Sequence, residues 1–177
     1  MNSGLITTRY AKALLRFADD NKQTEIVYEE MKQLALNFDN NHDLRILLEN
    51  PMIGSSIKKK VLLTAAGEKV SPSTSKFIDL VLLNKRGNLF HLIALGYIDI
   101  FRKKSNIHKT VITTASAIDV QTEKKLVQFI ASETKGTVEF EKIIDPSIIG
   151  GFIIEVDSKR WDGSLSKQLL RIREKLN

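Results

Sequence analysis

The sequence contains no cysteine. Disulfide bonds, catalysis by a thiolate and metal ions held by cysteine are therefore excluded. No stretch of about 18 consecutive apolar residues occurs, so no transmembrane helix is predicted. The N-terminus lacks a basic segment followed by an apolar run and a cleavage site, and we therefore expect no signal peptide.

Motifs of common enzymes and cofactor sites are also missing. There is no phosphate-binding loop of the form G-x-x-x-x-G-K-[ST], no H-E-x-x-H zinc motif and no G-x-S-x-G nucleophile motif. The histidines, His42, His91 and His108, are far apart and show no metal-ligand spacing. The Gly150-Gly151 pair precedes a predicted strand rather than a helix, which argues against a phosphate cradle. The sequence predicts no catalytic residue, no metal site and no cofactor.

Positive charge is in modest excess and is unevenly distributed. The chain has 177 residues, with 27 Lys and Arg against 21 Asp and Glu, and a formal net charge of +6. Residues 1–105 contain 16 basic and 11 acidic residues, whereas residues 106–177 contain 11 and 10. The first part either meets an acidic partner, such as nucleic acid, anionic lipid or an acidic protein, or uses its scattered charge only for solubility.

Residues 1–105 show the periodicity of helices and almost no strand signal. Thr24 is predicted to cap the second helix, and Ser71 is predicted to cap the fifth, where a proline follows it. Gly87 is predicted as the left-handed residue that ends the fifth helix after Arg86. The predicted helices cover residues 6–20, 24–38, 42–49, 57–66, 72–86 and 88–104. They indicate a compact all-α bundle.

After residue 105 the pattern changes to strands mixed with helices. The predicted strands cover residues 110–114, 138–144 and 152–156. Asp119 is predicted to cap an intervening helix that carries Leu126, Phe129 and Ile130. Ser164 is predicted to cap a last helix whose apolar face is formed by Leu165, Leu169, Ile172 and Leu176. The predicted fold class is α+β: an N-terminal all-α six-helix bundle in residues 1–105, then a small α+β domain with a short mixed sheet in residues 106–177.

Two of the predicted helices carry more apolar surface than one buried face requires. On the first helix the apolar arc spans about 200°, against the roughly 100° that suffices for a stripe facing a core. The fifth helix is apolar nearly all round, with Asp79 as its only polar residue between positions 77 and 83. Two alternatives follow: the fifth helix lies at the centre of the bundle, or the first and fifth helices form a groove that accepts an amphipathic partner helix.

Four segments along the chain resemble motifs of one protein family. Residues 9–14 are Arg-Tyr-Ala-Lys-Ala-Leu, and residues 47–51 are Leu-Leu-Glu-Asn-Pro. Residues 76–86 begin with Lys-Phe-Ile and end with Asn-Lys-Arg. The most specific segment pairs Asp-Pro-Ser-Ile-Ile-Gly-Gly at residues 145–151 with Asp-Gly-Ser-Leu at residues 162–165. The chain thereby resembles the delta subunit of bacterial F-type ATP synthases, a family related to the mitochondrial oligomycin-sensitivity-conferring protein (OSCP).

This resemblance implies a non-catalytic stator subunit. It implies that the N-terminal domain binds the N-terminal helix of an α subunit in a groove between the first and fifth helices. It also implies that the C-terminal domain holds the C-terminal coiled coil of the b subunit. Such a connector keeps the catalytic head still while the central stalk rotates in a proton- or ion-translocating ATP synthase. No nucleic-acid partner is implied, and membrane association arises only through the complex, at the cytoplasmic face of the bacterial inner membrane.

The resemblance also implies which residues contact the α subunit and which shape the turns of the C-terminal domain. The expected contacts with the α subunit are Tyr10, Ala13, Leu14, Phe17, Phe77, Leu80, Val81, Asn84 and Arg86. Arg86 has an alternative use at the C-terminus of a helix. The structural signature, which is expected to shape two turns and to cap the last helix, comprises Asp145, Pro146, Gly150, Gly151, Asp162, Gly163 and Ser164.

Two other classes of protein are alternatives to this interpretation. The net positive charge suggests a small nucleic-acid-binding protein, but the basic residues are not interleaved with aromatic ones, which make up only 7% of the chain. An enzyme whose site is assembled from distant residues is the other alternative. The chain also departs from the family pattern at Asp157-Ser158, where a Gly-Asp turn is frequent, and at Trp161, where a smaller aliphatic residue is usual.

Overall fold

The structure, a computed structural model, describes residues 3–117, 121, 124, 125, 128, 130, 136–157 and 159–176. The chain divides into two compact units, Met1–Phe101 and Arg102–Asn177. The chain is mostly helical, and a small four-stranded mixed sheet follows the first helices, which confirms the predicted order of elements. Every helix within the described residues is too short or too polar to cross a membrane.

Six of the seven α-helices that the structure describes precede the sheet. They are α1 Ser3–Asp20, α2 Thr24–Asn40, α3 His42–Glu49, α4 Ser55–Ala66, α5 Pro72–Leu83 and, after a 3₁₀ turn at Gly87–Leu89, α6 Phe90–Ser105. The bounds of α3 are those predicted. The helices α1, α2 and α4 extend beyond their predicted bounds by no more than a turn, because polar residues continue a helix without adding to its apolar periodicity.

Aromatic side chains of α2 and α6 fill the middle of the first unit. Tyr28 stacks on Phe101 with the ring centroids 4.4 Å apart, and Phe90 is fully buried. Tyr97 is also fully buried, and its hydroxyl donates a 3.1 Å hydrogen bond to the backbone oxygen of Thr24. Burial raises the pKa of Tyr97, so the phenol stays a neutral donor. These contacts hold α6 against α2.

The N-terminus of α5 is held by its own cap and by two side chains of the α2 region. Ser71 Oγ accepts a 3.2 Å hydrogen bond from the backbone N–H of Thr74, which confirms Ser71 as the N-cap. The buried Glu30 carboxylate accepts hydrogen bonds from both the N–H and the Oγ–H of Ser71. Gln23 Oε1 accepts from Ser73 in the same turn. Because negative charge is favourable at a helix N-terminus, Glu30 both satisfies donors and fixes the position of α5.

The predicted cap of α2 is wrong. Thr24 is the first residue of the helix, and Gln23 lies before it without a capping hydrogen bond from its side chain. The Gln23 side chain accepts instead from Ser73 of α5, and the backbone oxygen of Thr24 accepts from Tyr97. The residue before α2 is thereby fixed by a tertiary contact of its side chain rather than by a side-chain cap.

The predicted end of the fifth helix is also wrong. The helix α5 stops at Leu83, before the predicted Arg86. Lys85, rather than Gly87, takes the left-handed backbone conformation, with a φ of 55°. Gly87 is needed for a different reason: it is buried, and a Cβ there would lie 3.2 Å from Leu82 Cδ2. The glycine therefore allows close packing rather than a left-handed turn.

The second unit is built on a mixed sheet with the strand order β2-β1-β3-β4. Its elements are β1 Ile107–Thr114, β2 Thr137–Ile144, β3 Phe152–Val156, β4 Lys159–Asp162 and the last helix, α7, Leu165–Leu176. The strand β1 pairs in parallel with β2 and antiparallel with β3, and β4 pairs antiparallel with β3. The sequence predicts β3 with its observed bounds but does not predict β4, because three of its four residues are charged.

One face of this sheet carries a small apolar core. The core comprises Ile112, Ile130, Ile154 and Val156, with Val138 and Phe140 partly buried against them. The alternation of Val138, Phe140 and Ile144 with polar residues predicts that all three lie on the half-buried face of β2. Ile144 is instead 59% exposed. In the region of the helix predicted after Asp119, residues 121, 124, 125, 128 and 130 are helical. Asp119, Leu126 and Phe129 lie outside the described residues.

Candidate functional site

An aromatic pair joins α1 to α5 at the edge of an apolar surface. The ring of Tyr10 meets that of Phe77 edge to face, with centroids 6.2 Å apart and an interplanar angle of 69°. The guanidinium carbon of Arg86 lies 5.5 Å from the Tyr10 ring centroid. Phe77 is buried, whereas Tyr10 is only half-buried. Tyr10 is therefore held from two sides and keeps part of its ring open to solvent.

A shallow concave strip follows the exposed face of α1; all of its lining residues belong to this helix, and none comes from α5. Ala13 is exposed and Phe17 half-buried, and both line this strip. Leu5, which is 66% exposed, lines it as well. The sequence does not suggest Leu5, because the predicted helix begins one residue later. We call this feature the α1 groove; its lining residues are Leu5, Thr8, Arg9, Lys12, Ala13, Arg16, Phe17 and Asp20.

Of the α5 residues expected to contact a partner, Leu80 and Asn84 are exposed. They lie three and seven residues after Phe77, on the same side of the helix. Leu80 is 46% exposed. The Asn84 side chain donates a 2.8 Å hydrogen bond to the backbone oxygen of Leu80 and thereby closes the end of α5. Leu83, which the list of expected contacts omits, is 81% exposed.

Besides Phe77, two expected contact residues lie inside the unit. Leu14 of α1 and Val81 of α5 have no exposed surface. Both therefore shape the helices beneath the surface rather than line it. For Arg86 the sequence left two roles open, contact with a partner and interaction with a helix C-terminus. Its side chain lies against Tyr10. This placement favours the first role.

The first turn of the signature is built around Asp145. Its Oδ1 accepts a 2.9 Å hydrogen bond from the N–H of Ser147, and Pro146 opens a one-turn 3₁₀ helix. These hydrogen bonds hold the pKa of the Asp145 carboxyl below its usual value. The backbone N–H of Asp145 donates a 2.8 Å bond to Thr114 at the end of β1. The turn is thereby attached to the sheet.

The two glycines bring this turn against the second one. Gly151 has a φ of 73°, and a Cβ on it would collide with the backbone oxygen of Gly163. A Cβ on Gly150 would lie 2.7 Å from Leu165 Cδ1. The N–H of Leu165 donates a 2.9 Å bond to the Gly150 oxygen. The glycine pair therefore allows close contact between the two turns and the start of α7.

The second turn caps α7. Asp162 Oδ1 accepts from the N–H of Ser164 at 3.1 Å and from its Oγ–H at 2.7 Å. Ser164 Oγ in turn accepts a 3.2 Å bond from the N–H of Lys167, so Ser164 caps the helix as predicted. The bonds from Ser164 lower the pKa of the Asp162 carboxyl, and the charges of Lys167 and Arg160 add to this effect. The signature is a local scaffold for the start of α7.

The last helix leaves its apolar face open. Leu165, Leu169 and Ile172 are 45%, 54% and 55% exposed. The side chain of Leu176, the fourth predicted member of this face, lies outside the described residues. Further exposed apolar residues of the second unit are Ile143, Ile144, Ile149, Phe152, Trp161 and Leu170. Trp161 is 53% exposed and adds to the exposed apolar area of this unit.

The exposed residues of α1, α5 and α7 offer apolar contact. Within the described part of the chain, no set of three or more His, Asp or Glu residues is placed to hold a metal ion. The class that the fold defines is an α+β protein with a helical unit followed by a small mixed-sheet unit. Comparisons with known proteins define the family more closely.

The family model described as ATP synthase delta (OSCP) subunit matches residues 6–176. The chain is 38% identical to ATP synthase subunit delta of Phocaeicola vulgatus over 175 residues, which cover 98% of this chain and 95% of that protein. It is 39% identical to ATP synthase subunit delta of Parabacteroides distasonis over 173 residues, which cover 98% and 96%. The chain therefore belongs to the delta (OSCP) family of ATP synthase subunits, whose members are non-catalytic.

A solved structure supports the same fold. One chain of the cryo-EM structure of the Toxoplasma gondii mitochondrial ATP synthase hexamer superposes with a TM-score of 0.72. The match covers 96% of each chain at 20% sequence identity. At this identity the likeness concerns the fold, and it agrees with the order of helices and sheet described above.

Proposed function

We propose that this protein is the stator connector of an F-type ATP synthase, joining the catalytic head to the peripheral stalk. In this proposal residues 1–105 act as a six-helix bundle that binds the N-terminal helix of an α subunit. Residues 106–177 bind the C-terminal coiled coil of the b subunit. The protein then lies at the cytoplasmic face of the bacterial inner membrane through the complex. Family membership and the two separate apolar surfaces support the proposal.

The head-side contact is proposed to form over α1 and the neighbouring side of α5. The observation that carries it is the half-open apolar row of Tyr10, Ala13 and Phe17. Tyr10 is held in place by Phe77 and Arg86 before any partner arrives, so little side-chain freedom is lost on binding. Ala13 lets a partner backbone approach closely, while Leu14 and Val81 support the surface from inside. An amphipathic helix laid on such a surface dissociates slowly.

Calorimetry with a peptide of the α subunit tests this contact. The peptide comprises the N-terminal residues, about 20, of the α subunit from the same organism. We expect binding at micromolar or tighter affinity and near one-to-one stoichiometry. The Ala13→Asp variant should abolish binding, because it places a charge in the apolar row. Gln33→Asp, which introduces the same charge at an exposed position of α2, is the matched control and should bind normally.

Both variants should retain the helical circular dichroism of the parent protein, since both positions are exposed. Unchanged affinity of Ala13→Asp would remove Ala13 from the contact. No binding by the parent protein at several temperatures would contradict the head-side contact of the proposal.

The stalk-side contact is proposed to cover the open face of α7. Leu165, Leu169 and Ile172 supply apolar surface that the described part of the chain leaves half-exposed. A coiled-coil end with a matching apolar row would bury it. We expect Leu169→Ser to weaken binding of a C-terminal b-subunit segment in a pull-down titration. Gln168→Ser, at the neighbouring exposed position, should bind normally, and equal affinities of the two variants would contradict this contact.

The stator function requires both contacts at once. Rotation of the central stalk drives synthesis only if the head is held still, so a connector must resist shear at each end. Two surfaces on separate compact units meet this requirement, because each partner can bind without occupying the site of the other. The loss of either contact should uncouple rotation from ATP synthesis while ATP hydrolysis by the free head continues.

A further inference from the structure

Three basic side chains line the α1 groove alongside its apolar residues. Arg9, Lys12 and Arg16 are all exposed, and they follow one another at spacings of three and four residues along α1. At this spacing they lie on one side of the helix. Ala13 and Phe17 lie beside them in the same groove. The groove therefore has an apolar strip and one cationic edge.

These cations have no ion-pair partner among the residues that the structure describes. Two other cations of the first unit are paired: Lys59 lies 2.7 Å from Asp79, and Arg45 lies 3.2 Å from Asp39. Asp20 is the acidic residue that lines the groove, at its far end.

A row of like charges gives no benefit to α1 itself. Like charges three or four residues apart on a helix destabilise it by about 0.2–0.5 kcal/mol for each pair. The row contains two such pairs, Arg9 with Lys12 and Lys12 with Arg16. Charges that cost stability and lie at the edge of an apolar groove point to a role in binding.

We infer that this cationic edge selects a partner helix with acidic side chains along one edge of its apolar face. The inference rests on the proposed function, since the partner is a helix lying in the same groove. Carboxylates at matching spacings of three and four residues would meet Arg9, Lys12 and Arg16 in turn. The apolar strip holds the helix, while the charges determine which helix binds and in which register. Arg9, Lys12 and Arg16 are then specificity-determining residues of the head-side contact.

Charge reversal combined with a neutralised peptide tests the inference. The probes are the N-terminal peptide of the α subunit and a version in which each Asp and Glu is replaced by Asn or Gln. The protein variant is Lys12→Glu with Arg16→Glu, which changes only exposed positions. The control, Lys60→Glu with Lys69→Glu, changes the net charge equally at exposed positions outside the α1 groove. Affinities are measured by calorimetry at two salt concentrations, about 50 mM and about 300 mM.

We expect the charge reversal to weaken binding of the acidic peptide about tenfold at low salt, and less at high salt, because rim charges are screened. The control variant should bind within about twofold of the parent. The neutralised peptide should bind the parent more weakly than the acidic peptide does, and should not distinguish the parent from the charge-reversed variant.

Other outcomes separate this inference from the proposed function. If the acidic peptide binds the parent and the charge-reversed variant equally, the cationic edge has no selecting role, and the groove contact stands without it. If neither peptide binds the parent, the proposed function fails and the inference fails with it. If random-sequence duplex DNA binds at micromolar affinity and the charge reversal abolishes this, the row is a phosphate-binding surface, and the helical partner is wrong.

Discussion

The helices α6 and α7, one in each part of the molecule, differ in how completely they bury apolar side chains. In the first unit, Phe90, Ile93 and Tyr97 have no exposed surface. In the second unit, Leu169 and Ile172 of the last helix are both more than half exposed. The first unit can therefore hold its groove in shape before a partner arrives. The face of α7 is exposed apolar surface of the kind that marks a partner-binding site.

One polar contact from each unit shows a difference in sequence separation. In the first unit the buried Glu30 carboxylate binds Ser71, 41 positions along the chain, and so fastens α2 to α5. In the second unit Asp162 binds Ser164, two positions away, and shapes a local turn. Long-range polar contacts make a unit dependent on its whole tertiary structure, whereas local ones stabilise a single turn. Substitutions that remove these two contacts should therefore differ in the size of their effect.

The largest effect is expected from truncating a buried leucine of α1. Leu14→Ala should lower the free energy of unfolding of the first unit by about 2–5 kcal/mol, because it leaves a cavity. Leu5→Ala makes the same change on the same helix at a side chain that is 66% exposed, and it should cost no more than about 0.5 kcal/mol. Urea unfolding followed by circular dichroism measures both.

The single tryptophan, Trp161, reports on the second unit in the same titration. Leu14→Ala should move the circular dichroism transition and leave the tryptophan fluorescence transition in place. If both transitions move together, the two units unfold as one, and the comparison between them does not hold for stability.

A smaller loss is expected when the polar contact between α2 and α5 is removed. Glu30→Ala leaves the buried N–H and hydroxyl of Ser71 without their acceptors, and each lost acceptor should cost about 1–3 kcal/mol. Glu30→Gln keeps an acceptor oxygen and should recover part of the loss. Glu29→Ala removes a neighbouring exposed carboxylate paired with Lys32, and should cost under about 1 kcal/mol. Equal unfolding midpoints for Glu30→Ala and Glu29→Ala would show that the buried contact contributes nothing.

In the second unit, loss of the cap of α7 should have a moderate effect. Ser164→Ala removes the acceptor for the N–H of Lys167, and the free energy of unfolding of this unit should fall by about 1 kcal/mol. Ser166→Ala, in the first turn of the same helix, is the control. Urea unfolding followed by Trp161 fluorescence should separate the two variants, and coincident curves would contradict the capping role.

The smallest effect is expected at low pH, where protonation of Asp162 should lower the stability of the second unit. Hydrogen bonds from Ser164 hold the pKa of Asp162 below its ordinary value of 3.8. A lowered folded-state pKa means that the stabilisation is fully present above the unfolded-state pKa and is lost as the pH falls through the folded-state pKa. The urea midpoint from Trp161 fluorescence should therefore decline below about pH 4. Asp162→Asn should flatten this part of the profile, and an unchanged profile would exclude Asp162 as its source.

The prediction from sequence succeeds where the chemistry is local. The cap at Ser71, the turn at Asp145 and the cap at Ser164 each depend on side chains within three residues of the groups that they bind. Such contacts form whenever the chain takes the local conformation, so a single sequence is enough to predict them. The order of helices and strands follows from apolar periodicity in the same way.

The prediction fails where a distant residue changes the local preference. Thr24 is a good cap by its chemistry, but Gln23 takes the position before α2, and the Gln23 side chain bonds to Ser73 of α5. Gly87 has the conformational freedom to end α5. Its observed role is different: because it has no Cβ, the side chain of Leu82 can pack closely against it. No local pattern predicts Glu30 as the partner of Ser71, because the pairing depends on how α2 and α5 pack.

The sequence by itself determined the family, the order of the elements and an excess of apolar surface on α1. Only the tertiary structure decided which apolar residues of α1 face the core: Leu14 and Ala18 are fully buried, while Ala13 is exposed and Phe17 is half-buried. The reason is physical. Helical periodicity states which residues share a face, but the neighbouring helices decide which face is covered, and their positions follow from contacts between residues far apart in the chain.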